Sequence, residues 1–421
     1  MASLDRLPML ESQCRGYEGP ISAAIYLPLL TERNEGGSGN GGDDARMGVE
    51  DNGALSNSWR LQQLGSYPHD IGYGDEKPSL TAGAAIAATL DELMLKEHGD
   101  KIRSAREMVQ ALSSRVEALR FNGVPMCELT LMLFAERTAD SQIAAIMPTN
   151  ALRNAAGVAV RTALAAMLDA DLGVSSSFNS MIKNASWIEY LMEETHASPP
   201  ALCVLPAYEA NPQLDDVTAN RISDLALAGS KLDLIALWAN ATVKVFHVDG
   251  CRSCHRPINH VLWTRTQVPY EVDFHRNFEP WGILSRFQDP GYDERFRGWA
   301  FDKIQHVESL ANLGDFRFVI LPDVWTLHRP HPKVAIATLH RQVSEKEKNG
   351  GTVNLFLKVI QLKDGRTGTV YKHYMSYVGS LIRRERSMLS VGGGYQPQLN
   401  PQLVYCKSVL PWWNVLPNTQ S

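Results

Sequence analysis

The chain has 421 residues, 44% of them hydrophobic and 21% charged, which is enough apolar material for a large core in two domains or one elaborated α/β domain. A net charge of −5 without any Lys/Arg-rich block leaves no electrostatic footprint for nucleic acid, so no nucleic-acid partner is expected. No apolar run reaches the ~18 residues of a membrane span, the opening MASLDRLPML lacks a secretory signal pattern, and six cysteines are too few to fix the redox compartment.

Asp5 to Tyr17 reads as a helix leading into a strand, the apolar run Ile21 to Leu30 after Gly19-Pro20. Residues 31–79, with GGSGNGGDDAR at their start, read as a low-complexity surface insertion. Beyond it Ile102, Ala105, Val109, Leu112, Val116 and Leu119 recur every three or four residues, the stripe of an amphipathic helix packed on a sheet. Cys127 to Phe134 is a strand candidate and Asn150 to Thr162 a helix candidate; Ala201 to Tyr208 and Phe316 to Leu321 read as strands buried on both faces. An α/β sheet flanked by helices is the economical reading. The Gly392-Gly393-Gly394 triplet reads as a turn, since no strand-then-helix context makes it a phosphate cradle.

Asp169-Ala170-Asp171 follows the apolar stretch Ala163 to Leu168, at a strand end where open α/β folds bind ligands. Alternate carboxylates there can reach one hard cation such as Mn²⁺ or Mg²⁺, although such triplets also occur as solvated turns. His328 and His331 in WTLHRPHP follow another strand candidate; imidazole is a common metal ligand, and a pair of surface loop histidines is the plainer alternative. Cys251-Arg252-Ser253-Cys254-His255 spells a haem-attachment pattern, but no distal ligand or export signal accompanies it, so no haem is expected and a local disulfide or two loop thiols fits better.

In order along the chain, Ser3 to Leu27, MPTNALRNAAG (Met147 to Gly157), LDAD (Leu168 to Asp171), VLPAYE (Val204 to Glu209) and CHRPINHVLW (Cys254 to Trp263) resemble blocks of one family. Phe278-Glu279-Pro280, Tyr292 to Gly298, Lys303 to His306 and VILPDVWTLHRPHP complete the series. That family is the dystroglycan-type glycosyltransferases, with the glucuronyltransferase half of the LARGE enzymes and the β-1,4-glucuronyltransferase among its members.

The resemblance implies a GT-A fold, a Rossmann-like mixed sheet flanked by helices, here lacking its first strand. It implies a domain over residues 1–342 interrupted by the insertion, and a C-terminal extension, 343–421, packed on the core. It also implies an inverting, Mn²⁺- or Mg²⁺-dependent transfer of a sugar, glucuronate first, from a UDP-sugar donor to a glycan or glycoprotein acceptor. Carried over, Asp169, Asp171 and His328 are the metal ligands, with His331 as an alternative to His328. Arg153, Asn154 and Lys303 are the donor-binding candidates. Inversion requires a base on the face opposite the leaving group, for which Glu294 leads Asp293 and Asp302. The competing expectation is a catalytically inactive glycan-binding or scaffold homologue. Relatives imply a Golgi-lumenal, type II membrane protein, although no anchor or signal is read in this chain.

Overall fold

The computed structural model describes residues 1–15, 17–30, 81–138, 140–332, 335–348, 359–361, 367–391 and 395–414. The expected insertion at 31–79 and the Gly392-Gly393-Gly394 turn lie outside the described residues.

The chain opens with strand β1 (Ala2–Ser3), helix α1 (Leu7–Cys14), strand β2 (Pro20–Leu30), helix α2 (Thr81–Phe121, broken at His98) and strand β3 (Glu128–Thr138). The three strands form a parallel sheet in that order, and each parallel step is made by a crossover that contains a helix. All six residues of the expected α2 stripe pack onto this sheet or α1, with Ala105, Leu112 and Val116 fully buried. A buried disulfide, Cys14–Cys127, ties the end of α1 to the start of β3.

After helix α3 (Thr149–Val158) come β4 (Leu164–Ala166), β5 (Leu172–Val174), helix α4 (Ala185–His196), β6 (Ala201–Leu205), β7 (Ala207–Ala210), helix α5 (Asp216–Ala228) and β8 (Val243–Val245). Then follow β9 (Tyr270–Val272), β10 (Trp281–Ser285), helix α6 (Asp302–Leu313), β11 (Arg317–Ile320) and β12 (Thr326–His328). These nine strands form a five-stranded mixed sheet, β4-β10-β6-β11-β9, and a four-stranded one, β5-β12-β7-β8. A mixed parallel and antiparallel α/β architecture of Rossmann-like type results, as the sequence leads one to expect.

The single strand expected over Ala201 to Tyr208 is two strands in two sheets. Pro206 has no N–H for the ladder, so the chain steps across there. β11 and β12 make the same step beside it: β11 pairs parallel with β6, β12 parallel with β7, and the Thr326 N–H donates to the Pro206 carbonyl at 2.8 Å. The β6 side chains alternate between two cores, as a strand buried on both faces must. Leu202 and Val204 join Trp263, Phe278, Phe318 and Trp325, while Ala201, Cys203 and Leu205 join Phe178, Met181 and Leu191.

Towards the C-terminus lie helices α7 (Ala335–Lys348), α8 (Val370–Ser390) and α9 (Pro401–Val409). Tyr371, Tyr374, Val378, Leu381 and Ile382 of α8 pack with Ile336 and Leu339 of α7 and with Phe296. Trp412 and Trp413 each donate an indole N–H to the Val158 carbonyl. Among the described residues no helix is long and apolar enough to cross a membrane. The expected type II membrane placement in the Golgi is corrected accordingly.

Candidate metal centre

β12 lies between β5 and β7, and the register sets His328 opposite Leu172 on one side and Glu209 on the other. Leu172 directly follows the Asp169-Ala170-Asp171 turn, so the ladder delivers that turn to His328. The Leu172 N–H closes the turn on the Asp169 carbonyl at 3.0 Å, and the Arg329 N–H holds the Asp171 carbonyl at 2.8 Å. Gln13 of α1 supports it from below, its amide donating to the carbonyls of Asp169 (3.2 Å) and Leu172 (2.9 Å).

The Asp171 Oδ2 atom is 3.1 Å from His331 Nε2 and 3.7 Å from His328 Nε2, and the two imidazole nitrogens are 3.2 Å apart. His331 Nδ1 lies 2.8 Å from the Pro332 carbonyl, which can only accept, so Nδ1 carries a proton there. In a neutral ring Nε2 then presents a lone pair to a carboxylate oxygen and to a second imidazole, which calls for a shared proton or cation between them. Burial raises the Asp171 carboxyl, but contacts with His328 and His331 outweigh it and hold the group well below the usual carboxylate range. All three side chains remain partly exposed. One hard oxygen and two borderline nitrogens on a surface open to solvent make Asp171, His328 and His331 a candidate metal centre.

Asp169, expected to grip the same ion, is engaged by an arginine. Arg153, buried on α3, donates from Nη2 to Asp169 at 3.1 Å and from Nη1 to Asp302 at 2.6 Å, and its Cζ stands 5.3 Å from the Tyr292 ring centre. Burial raises the Asp169 carboxyl, and Arg153 followed by Lys303 overcomes this to keep it low. Asp302 and Arg153 therefore satisfy each other. Asn154 is equally engaged, donating to the Tyr292 carbonyl (2.7 Å) and Glu294 (2.9 Å) and accepting from the Tyr292 N–H (2.8 Å).

Among the expected bases, Asp293 is fully buried and bound by Arg295 and Tyr395. Glu294 makes no ion pair among the described residues; burial pushes its carboxyl up, with the Asn154 amide opposing. Lys303 lies 3.3 Å from Glu279 and 3.2 Å over the centre of the Trp281 ring. Phe246 contacts both Trp281 and His328, so this aromatic wall runs up to the candidate metal centre.

Two features escaped the sequence reading. Glu209, whose carboxylate accepts the His247 N–H at 3.1 Å, is a strand neighbour of His328; its place at the end of the VLPAYE block was the only signal. His306 pairs with Asp289 at 2.8 Å and stacks on Tyr292, for which nothing local gave a sign. Of the alternatives read for Cys251 and Cys254, the local disulfide forms, leaving His255 stacked against Trp281.

A mixed α/β sheet with a carboxylate–imidazole cluster at its strand ends fits a glycosyltransferase, and similarity assigns the chain to that class. Residues 97–363 match the family described as glycosyl-transferase for dystroglycan. This chain, more than half of which is matched, belongs to that family. The glycosyltransferase-like protein gnt14 of Dictyostelium discoideum is 28% identical over 188 residues, 44% of this chain and 27% of its own length. The glycosyltransferase-like protein LARGE of Caenorhabditis elegans is 26% identical over 201 residues, 48% of this chain and 29% of its own. The human xylosyl- and glucuronyltransferase LARGE2 is 32% identical over 102 residues, 24% of this chain and 14% of its own. The matches thus span less than a third of these relatives' lengths.

Proposed function

We propose that the chain is a metal-dependent glycosyltransferase that moves a sugar, glucuronate first among the candidates, from a UDP-sugar to a glycan hydroxyl with inversion. The convergence of Asp171, His328 and His331 at 3.1 to 3.7 Å carries this reading. Bound there, Mn²⁺ or Mg²⁺ supplies a Lewis acid for the departing diphosphate. Asp171 and His328 are common to the sequence and the geometry; His331 is the third ligand favoured by distance, Asp169 the one favoured by motif. Lys303, held against Trp281, is the cation on the donor side. Glu294 is the base: Asp293 and Asp302 are each held by an arginine, whereas Glu294 receives an amide N–H and keeps a raised carboxyl suited to taking a proton. The GT-A assignment, the 1–342 domain and the 343–421 extension belong to the same reading.

A catalytically inactive, glycan-binding homologue is the second reading, favoured by one observation: Arg153 neutralises Asp169 and Asp302 with protein charge. UDP released from a panel of UDP-sugars, with and without Mn²⁺, separates the two. Metal-dependent release that disappears in Asp171→Ala supports transfer. Glycan binding without release from any donor, unchanged in the variant, supports the silent homologue.

A further inference from the structure

Away from the candidate metal centre, a second cluster of carboxyl groups joins α8 to the segment that carries Glu294. Asp293 is fully buried, and both its oxygens are occupied: Oδ1 accepts from the Arg295 N–H (3.0 Å) and Nε (2.9 Å), while Oδ2 accepts from the Tyr395 hydroxyl (2.7 Å). Tyr395 in turn accepts from the Gln305 amide of α6 at 2.6 Å. Glu385 of α8, 2% exposed, meets the same arginine, its Oε1 lying 3.2 Å from Arg295 Nη2. Its other oxygen, Oε2, is buried with no hydrogen bond of good geometry among the described residues, although the Tyr395 hydroxyl and Asp293 both act on the Glu385 carboxyl at close range.

The charge does not balance. Two buried carboxyls face one guanidinium, and a buried carboxylate oxygen without a donor is costly, whereas a carboxylic acid beside a carboxylate donates a hydrogen bond instead of repelling it. Among the described residues Arg295 is the cation that pairs with these two carboxyls. On α6, Glu308 is taken up by Arg386 of α8. On α8 itself, Tyr377 lies within the field of Asp293, Arg295 and Glu385, along with Arg384. Further along the helix, Arg297 is paired with Glu136 where it meets Tyr374, and His340 of α7 meets Tyr371.

We propose that Glu385 is held as a carboxylic acid at neutral pH, donating its proton towards Asp293, so that Asp293, Arg295 and Glu385 form a pH-sensitive latch fastening α8 to residues 292–297. Burial, then the Asp293 charge, push the Glu385 carboxyl up to about 8, with Arg295 opposing. A carboxyl raised in the folded state above its unfolded value contributes stability that is full below the unfolded value and is lost as pH rises through the folded one. The latch therefore weakens between about pH 5 and pH 9.

Glu385→Gln, which keeps the shape and a donor but cannot ionise, tests this in thermal unfolding of the whole chain from pH 6 to pH 9. The midpoint of the unmodified protein should fall over the alkaline part of this range more steeply than that of the variant, and at pH 9 the variant should be the more stable. An ionised Glu385 bridging Arg295 predicts the opposite: the variant is less stable throughout, with no loss of slope, and the proposal is overturned. Should the variant fail to fold, infrared spectroscopy of the unmodified chain decides. A protonated-carboxyl band present at pH 6.5, gone at pH 9.5 and retained in Glu294→Gln and Glu209→Gln upholds the latch, and its absence at pH 6.5 or its loss in either variant removes it.

Discussion

Asp171 and His328, drawn from opposite halves of the chain, face each other with Oδ2 and Nε2 3.7 Å apart because β5 and β12 pair antiparallel with Leu172 opposite His328. The proximity is a property of strand register, and a one-residue slip would turn His328 to the other face of the sheet. His331, braced by flanking prolines and by Arg6, which donates to the Pro332 carbonyl at 2.9 Å, completes the cluster.

Arg153→Met should be among the more damaging single changes. It leaves Asp169 and Asp302 without their cation in a buried setting, and losing one partner of a buried ion pair costs about 3 to 5 kcal/mol. Urea unfolding should show that loss at pH 7, with recovery in part as pH falls and the Asp169 carboxyl, held low by Arg153 in the unmodified chain, protonates. An effect below about 1 kcal/mol would mean that solvent already screens the cluster.

Arg297 and Glu136 form a buried bidentate pair, both N···O distances 2.7 Å, with Tyr26 donating to the same carboxylate at 2.7 Å and Arg297 Nε donating to the Ile146 carbonyl. Arg297→Lys keeps the charge but cannot fill both carboxylate oxygens and the carbonyl. A loss of about 2 kcal/mol or more in denaturant unfolding is expected, since one buried acceptor is left unpaired.

The two disulfides should differ in weight. Cys14–Cys127 closes a span of 113 residues and Cys251–Cys254 a span of 3, for which chain-entropy estimates give roughly 5 and roughly 2 kcal/mol. Paired Cys→Ser replacements, compared by thermal unfolding, should reproduce that order. The Cys251/Cys254 pair should also disturb the wall beside Trp281, because the Glu279 N–H donates to the Cys254 carbonyl at 2.9 Å.

The sequence made the α2 stripe and the Asp171–His328 pairing legible for different reasons. The stripe is local periodicity, which packing on β2 and β3 preserves. Asp171 and His328 were each visible locally as a ligand type, but their pairing emerged only from the order of several resembling blocks, since no short-range pattern links them. The ion pairs of Arg153, with residues 16 and 149 positions away, are tertiary contacts that leave no trace in spacing. Pro206 was visible but was read through, its apolar neighbours on both sides suggesting one strand rather than a step between two sheets. The Cys14–Cys127 pairing was out of reach, since cysteine positions alone do not give connectivity.

Mn²⁺ binding, titrated by calorimetry against the unmodified chain and against Asp171→Asn, His328→Ala, His331→Ala and Asp169→Asn, bears most directly on the candidate centre. The expected result is one site, weakened at least ~10-fold by each of the first three changes and less by Asp169→Asn, whose carboxylate Arg153 already holds. No saturable binding, or binding lost with Asp169→Asn and indifferent to His328→Ala and His331→Ala, would contradict it.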